Sequence, residues 1–110
     1  MRKNVSDRDE FRKRHDKAGK GHPAYIYAKI GNDFKLIGIT HDDVTRNING
    51  KGKTKNIRLE QNPNPEDSRT AYVRPEPEHA AAKHFGKKLK GWKFAQKDKV
   101  KIEEIKKKDK

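Results

Sequence analysis

Histidines beside two predicted strands are the residues of this chain whose type and spacing could perform chemistry. His22 immediately precedes one predicted strand, and His41 immediately follows the next. In a hairpin, the start of the first strand and the end of the second lie side by side, so we expect the two imidazoles to be neighbours. Histidine accepts and donates protons near neutral pH. The spacing therefore predicts a pair of proton-transfer groups at one edge of a sheet.

A phosphodiester of RNA is a substrate that such a pair would suit. Cleavage without a metal needs a base for the 2′-hydroxyl proton, a cation beside the phosphate and an acid for the leaving oxygen. Another predicted strand carries Tyr72 and Arg74, and it could pack alongside the hairpin. The predicted catalytic residues are His22, Thr40, His41, Tyr72 and Arg74. The alternative is that both histidines are surface loop residues or only cap the strand ends.

Four short segments alternate between apolar and polar residues in the way that is typical of strands. They are residues 24–30, 34–40, 57–59 and 70–74, and Gly31-Asn32-Asp33 joins the first two. This pattern predicts a hairpin. Because the alternation slips between Leu36 and Ile37, we expect a bulge or two-sided burial there. Residues 41–55 are polar and rich in Gly, Asn and Lys, and we expect a long exposed loop.

Three segments carry helix signals. Ser6 precedes acidic and then basic residues, which predicts a capped helix over about residues 7–17. The spacing of Ala81, Phe85 and Leu89 predicts a second helix, and apolar residues within 96–107 predict a third. The expected fold class is therefore α+β: a small four-stranded, mostly antiparallel sheet with an N-terminal helix and C-terminal helices.

One face of the predicted sheet combines tyrosines with basic residues. Aromatic rings stack on nucleic-acid bases, and guanidinium groups hold phosphates through paired hydrogen bonds. The predicted nucleic-acid-binding residues are Tyr25, Tyr27, Lys29, Arg58, Lys87, Lys88 and Lys93. The alternative for Tyr25 and Tyr27 is that they complete a second core layer beneath the helices.

The charge of the chain indicates a polyanionic partner. The formal net charge is +13, and residues 83–110 carry twelve basic and four acidic residues. Such a surface attracts polyanions through the release of their condensed counterions. No segment combines a wide apolar face with basic residues, so an anionic membrane is the poorer partner. We expect a nucleic acid, RNA in preference to DNA, and no membrane.

Composition also excludes several classes of protein. Only 29% of residues are hydrophobic and 41% are charged, which predicts one modest core.

Residues 21–105 are the expected α+β domain, with a basic N-terminal arm or helix at 1–20 and a basic tail at 106–110. No signal peptide or spanning segment is visible, so a cytoplasmic protein is expected. With no cysteine and no HExxH pattern, no metal site and no cofactor are predicted.

Several segments resemble a known group of proteins when they are taken in order. They are His22-Pro23-Ala24-Tyr25, Gly38-Ile39-Thr40-His41, Asn62-Pro63-Asn64-Pro65 through Arg69, Ala71-Tyr72-Val73-Arg74-Pro75, and Phe85-Gly86-Lys87-Lys88-Leu89 followed by Trp92-Lys93-Phe94. Together they resemble short basic proteins of bacterial phages and mobile elements, and the barnase–EndoU–colicin–RelE group of small metal-independent ribonucleases. The resemblance spans about residues 22–105. It implies an N-terminal helical part on a four-stranded antiparallel sheet, and cofactor-free cleavage of RNA by acid–base chemistry. Catalytic residue types vary within the group, and no strong glutamate base is evident in the right place in this sequence.

Three functions remain open at this point. The first is a metal-independent endoribonuclease of toxin or phage type. The second is a non-catalytic RNA- or DNA-binding accessory or regulatory protein, in which the histidines contribute little to binding. The third is a protein whose positive surface binds an acidic partner such as an antitoxin or immunity protein, and it is compatible with the first.

Overall fold

The computed structural model describes residues 5–15, 21–46 and 52–109, and they form a mostly β architecture. The strands are β1 (Val5–His15), β2 (Gly21–Ile30), β3 (Asp33–Thr40), β4 (Val44–Arg46), β5 (Lys53–Lys55), β6 (Ile57–Arg58), β7 (Tyr72–Val73), β8 (Glu78–Ala81) and β9 (Phe85–Lys88). A 3₁₀ turn (Ala82–His84) joins β8 to β9, and helix α1 (Gln96–Lys106) follows. Seven strands form one antiparallel sheet, and β4 and β5 form a separate hairpin.

The expected α+β fold class is wrong, because the described N-terminal residues form a strand and the described ranges contain a single α-helix, at their C-terminal end. A helix over residues 7–17 would have had Phe11 as its one large apolar residue, and so no apolar face to bury. As strand β1, the segment pairs with β2 on one side and β9 on the other. Phe11 thereby enters the core. Residues 1–4 and 16–20 of the predicted arm lie outside the described residues.

The helix predicted from Ala81, Phe85 and Leu89 is also wrong. Phe85 packs against Phe34 on one side of the sheet, whereas Leu89 packs against the cluster around Phe11 on the other. A helix places residues i and i+4 on one face. A regular strand would also place these two residues on one face, but the register shift in the pairing of β1 with β9 adds a residue to β9, so Phe85 and Leu89 reach opposite faces. The helix expected over 96–107 is confirmed as α1.

The predicted hairpin is confirmed by β2 and β3. Gly31 lies in the turn with a φ of +59°, which glycine adopts without strain. Leu36 and Ile37 are both fully buried, one in each of two apolar clusters, so the expected two-sided burial is present. The strands expected at 57–59 and 70–74 are confirmed as the short strands β6 and β7. The segment expected as a loop at 41–55 contains β4 and β5 instead.

The sheet is rolled so that its two ends approach each other. β8 pairs with β3 and β9 pairs with β1, while β2 lies between β3 and β1. In a flat sheet, β8 and β9 would be about 19 Å apart. The short connection through residues 82–84 reaches at most about 14 Å. The sheet must therefore curl, and register shifts in β1 and β2 accompany the bend.

Two apolar clusters fill the two sides of this sheet. The small cluster lies inside the roll and contains Ala24, Ile26, Phe34 and Leu36, with Phe85 packed against them. The larger cluster lies between the sheet and α1 and contains Phe11, Tyr25, Tyr27, Ile37, Ile39, Val73, Phe94, Ile102 and Ile105. Within the described ranges, no helix is both long and apolar enough to cross a membrane.

Candidate functional site

A cleft of about 770 Å³ lies where β1 ends, β2 begins and β3 ends. Its polar and charged lining consists of Arg14, His15, His22, Thr40, Asp42, Thr45, Arg74, Glu78 and His84. Its apolar lining consists of Pro23, Ala24, Leu36, Ile39 and Val44. The roll of the sheet brings these residues together from β1, β2, β3, the β4–β5 hairpin, β8 and the 3₁₀ turn. The cleft therefore combines three histidines, two arginines and two carboxylates.

Three of the five predicted catalytic residues line this cleft: His22, Thr40 and Arg74. His22 lies at the start of β2 and Thr40 at the end of β3, as the hairpin predicted. Arg74 follows β7, and its backbone N–H donates to the carbonyl oxygen of Gly38 at 2.9 Å. This bond holds the backbone of residue 74 beside β3.

The side chain of Arg74 lies directly over Gly38. Its Cγ is 3.1 Å from the point where a Cβ on Gly38 would stand, which is closer than ordinary van der Waals contact. The Nε of Arg74 is buried and has no hydrogen-bond partner among the described residues. No carboxylate of the described ranges forms an ion pair with this guanidinium. Arg74 is therefore a partly buried cation in the cleft with capacity to bind an anion.

The structure does not bring the other two predicted catalytic residues, His41 and Tyr72, into the lining of the cleft. His41 is exposed, and its Nε2 lies 3.1 Å from an oxygen of Asp67. Hydrogen bonds from Arg69, and then from His41, hold the pKa of Asp67 well below its usual range. Tyr72 lies within β7, between β3 and β6.

The predicted stacking residues Tyr25 and Tyr27 are buried in the larger apolar cluster. Their exposed fractions are 5% and 8%, so their rings offer no surface to a base. The hydroxyl of Tyr25 donates to Asp9 and that of Tyr27 to Asp109. Burial, together with these hydrogen bonds, raises the pKa of both phenols. The structure therefore matches the alternative, in which both tyrosines belong to the core.

The basic residues that were predicted to bind nucleic acid are distributed over several surfaces of the protein. Lys29 is half-buried on β2, and Arg58 is exposed on β6. Lys87, Lys88 and Lys93 are exposed, and the Nζ of Lys88 is 3.9 Å from the buried carboxylate of Glu10. These five residues do not line the cleft.

Five charged or titratable residues of the cleft were missed by the sequence analysis: Arg14, His15, Asp42, Glu78 and His84. Arg14 and His15 fell at the end of a predicted helix, and His84 fell inside another. Phe11 is followed by four basic residues in a row, so no alternation of apolar and polar residues marked this segment as a strand that ends at His15. Glu78 lies on β8, whose sequence has no alternation of apolar and polar residues that would predict a strand. The cleft therefore depends on elements whose type was predicted wrongly.

The carboxylate of Glu78 supplies the acidic group that the sequence did not reveal. Its Oε1 lies 3.3 Å from Nη1 of Arg14, and its side chain is 42% exposed. A carboxylate can accept a proton, and the histidines can accept or donate one. No group of three histidines and carboxylates in the described ranges is arranged to hold a metal ion. The arrangement is equipped for proton transfer beside a bound anion.

No protein-family model, curated protein or solved structure matches this chain. The functional interpretation therefore depends on the cleft and on the charge of the protein.

Proposed function

We propose that this protein is an endoribonuclease that cleaves RNA by acid–base chemistry without a metal ion. The observation that supports this proposal is the cleft in which His22, His84 and Glu78 accompany Arg14 and Arg74. In-line cleavage of a phosphodiester requires proton-transfer groups beside a cation that is available to the phosphate, and no carboxylate of the described residues pairs with Arg74. The net charge of +13 would attract RNA to the protein.

The reaction needs two proton transfers. A base takes the proton of the 2′-hydroxyl, the 2′-oxygen attacks phosphorus, and the bond to the 5′-oxygen breaks. An acid gives a proton to that leaving oxygen, and the product carries a 2′,3′-cyclic phosphate. We propose that the base and the acid are two of the three residues His22, His84 and Glu78. Arg74 stabilises the negative charge on the phosphate. Because Arg74 already lies partly buried, it is preorganised for this role.

The proposal is tested by incubating the purified protein with total RNA in EDTA. Cleavage should persist, and His22→Ala or Arg74→Ala should lower kcat/KM by about a hundredfold or more. His41→Ala and Arg69→Ala are matched controls, because both residues are exposed and lie outside the cleft. These controls should remain within about threefold of the wild type, since each removes one surface charge at most. Equal losses in all four folded variants would contradict the assignment to the cleft.

A non-catalytic nucleic-acid binder is the second candidate. It is favoured by the charge of the chain, which would give salt-dependent binding to any polyanion without catalysis. It predicts that RNA stays intact at every protein concentration and that binding does not change in His22→Ala. The same incubation distinguishes the two functions, because only the first releases products with cyclic phosphate ends.

A further inference from the structure

We propose that Lys13 and His15 form a second phosphate subsite at the rim of the cleft, which binds the backbone of single-stranded RNA beside the cleaved phosphodiester. The inference takes its substrate from the proposed function and adds a binding contact to it. His15 belongs to the cleft lining, whereas Lys13 lies outside it. The two residues therefore extend the basic surface from the cleft across its rim.

Both side chains lie over Gly21 of β2. In the pairing of β1 with β2, His15 stands opposite Gly21 and Lys13 opposite Pro23. The Cδ and Cβ of Lys13 are 3.2 and 3.6 Å from the point where a Cβ on Gly21 would stand, and Nδ1 of His15 is 3.7 Å from the same point. A side chain at position 21 would occupy this space. Glycine thus allows a lysine and a histidine to lie side by side against bare backbone.

A second glycine bounds the ring of His15 on its other side. Nε2 of His15 is 3.2 Å from the point where a Cβ on Gly86 of β9 would stand. The carbonyl oxygen of Gly86 accepts a hydrogen bond of 2.9 Å from Nη1 of Arg12, which holds β9 against β1. The imidazole is therefore positioned by two strands of backbone, and an ion pair is not needed to place it.

Among the described residues, the charge at this rim is not compensated by ion pairs, whereas the charge on α1 is compensated in part, since Lys97 and Lys99 form no ion pair there. Lys101, Lys106 and Lys107 each form an ion pair with a carboxylate. Among the described residues, no carboxylate pairs with Lys13 or His15. Unlike the charges of Lys97 and Lys99, the uncompensated charge of Lys13 lies next to a residue of the cleft lining, His15, and we assign to it the phosphate that neighbours a nucleotide bound in the cleft.

The size of the cleft selects a single strand over a duplex. A volume of about 770 Å³ is that of a small-ligand site. Pro23 and Val44 add apolar surface on which an unpaired base can rest. Bases in a duplex are stacked and paired, and they can enter such a cleft only after the duplex opens. In this arrangement, an unpaired nucleotide occupies the cleft and its neighbouring phosphate binds to Lys13 in the subsite.

The subsite is tested by binding of a 2′-O-methyl RNA oligonucleotide, which lacks the nucleophile and cannot be cleaved. The affinity is measured over a range of salt concentrations for the wild type, Lys13→Ser and Lys99→Ser. Lys99 is exposed on α1 and provides the same change of charge at a distance from the cleft. Each lost phosphate contact should reduce the slope of log affinity against log salt by about 0.7 for a single strand. We expect this reduction in Lys13→Ser, with the slope of Lys99→Ser unchanged.

Gly21→Ala provides a second test that leaves the charge intact. The added methyl group must displace the aliphatic chain of Lys13, which is flexible enough for the fold to persist. We expect Gly21→Ala to weaken binding by about threefold to tenfold, and to have no further effect once Lys13 is serine. Equal salt slopes for Lys13→Ser and Lys99→Ser would overturn the subsite, as would failure of the wild type to bind. If RNA is cleaved but neither its cleavage nor its binding depends on Lys13, the nuclease function stands and the subsite is rejected. If binding depends on Lys13 but RNA is not cleaved, the subsite stands and the nuclease function is rejected.

Discussion

Arg14 of β1 and Glu78 of β8 form an ion pair, with 3.3 Å between Nη1 and Oε1, inside the lining of the cleft. Their strands are separated in the sheet by β2 and β3. The pair therefore connects residues that meet because the sheet is rolled. Glu78 then has two effects in our account: it holds Arg14 in place, and it provides a carboxylate beside the histidines.

We expect Glu78→Gln to lower kcat/KM for RNA cleavage by at least about tenfold. The amide keeps the shape of the side chain but neither accepts a proton nor pairs with Arg14 as an ion. Glu76→Gln is the matched control, because Glu76 is exposed, lies two residues away and contacts Lys108 outside the cleft. Cleavage rates measured across pH should show the loss in the first variant alone. Equal rates for both variants and the wild type would remove Glu78 from the mechanism.

Gly38→Ala should lower kcat/KM by about tenfold through displacement of Arg74. The new methyl group would stand 3.1 Å from Cγ of Arg74, so the guanidinium must move although no charge is lost. A double-mutant cycle with Arg74→Ala isolates this effect. In a protein that already carries Arg74→Ala, Gly38→Ala should change kcat/KM little. If the two losses simply add, then Gly38 acts on the site by some route other than Arg74.

Asp98→Ala should destabilise the fold by about 3 kcal/mol, because two backbone N–H groups lose their acceptor. The carboxylate of Asp98 is fully buried and accepts from the backbone nitrogens of Glu60 and Gln61, at 2.7 and 3.1 Å. These bonds attach α1 to the segment that follows β6. Urea unfolding measures the change, with the exposed Glu104→Ala as a control expected within about 0.5 kcal/mol of the wild type. If Asp98→Ala lowers the free energy of unfolding by less than Glu104→Ala does, the hydrogen bonds of Asp98 are not needed for stability.

Asp109 should stabilise the fold in a pH-dependent manner. Burial acts to raise its pKa, but hydrogen bonds with Tyr27, Lys35 and His79 outweigh this effect, and the pKa is lowered. A carboxylate with a lowered pKa in the folded state contributes its full stability above its unfolded pKa of about 3.9. The contribution is lost as the pH falls through the folded pKa.

The measurement for Asp109 compares the free energy of unfolding of the wild type and Asp109→Asn across pH. The wild type should be the more stable at pH 5, where the carboxylate of Asp109 is ionised, and the difference should shrink as the solution is acidified to about pH 2. A difference that stays constant over this range would contradict the lowered pKa.

The sequence predicted the β2–β3 hairpin because both strands alternate clearly and Gly31 supplies the turn. This success placed His22 and Thr40 at one edge, and the structure has both in the cleft. The prediction for β1 failed for a physical reason. The charged run around Phe11 has helix propensity, but its strand conformation is stabilised by pairing on both sides, and local sequence does not encode those partners.

Ion pairs and long-range packing explain the remaining differences. Glu10 of β1 is buried, and its carboxylate contacts Arg8 and Arg12 on the same strand, so charges that indicated a solvated helix are satisfied within the sheet. The alternation that placed Tyr25 and Tyr27 on one face was correct. Their burial under α1 corresponds to the alternative that the sequence left open, because a face with tyrosines and a lysine fits either an exposed surface or the edge of a core until the helix that covers it is known.

The most direct test of the proposed function uses an oligodeoxynucleotide that contains one ribonucleotide. With EDTA present, we predict a single cut after the ribonucleotide, and mass spectrometry should find a 2′,3′-cyclic phosphate on the 5′ fragment. The all-deoxy oligonucleotide should stay intact, and His22→Ala and Arg74→Ala should each slow the cut by about a hundredfold or more. A folded wild-type protein that leaves the ribonucleotide uncut at every concentration, or variants that cut it at the wild-type rate, would contradict the account.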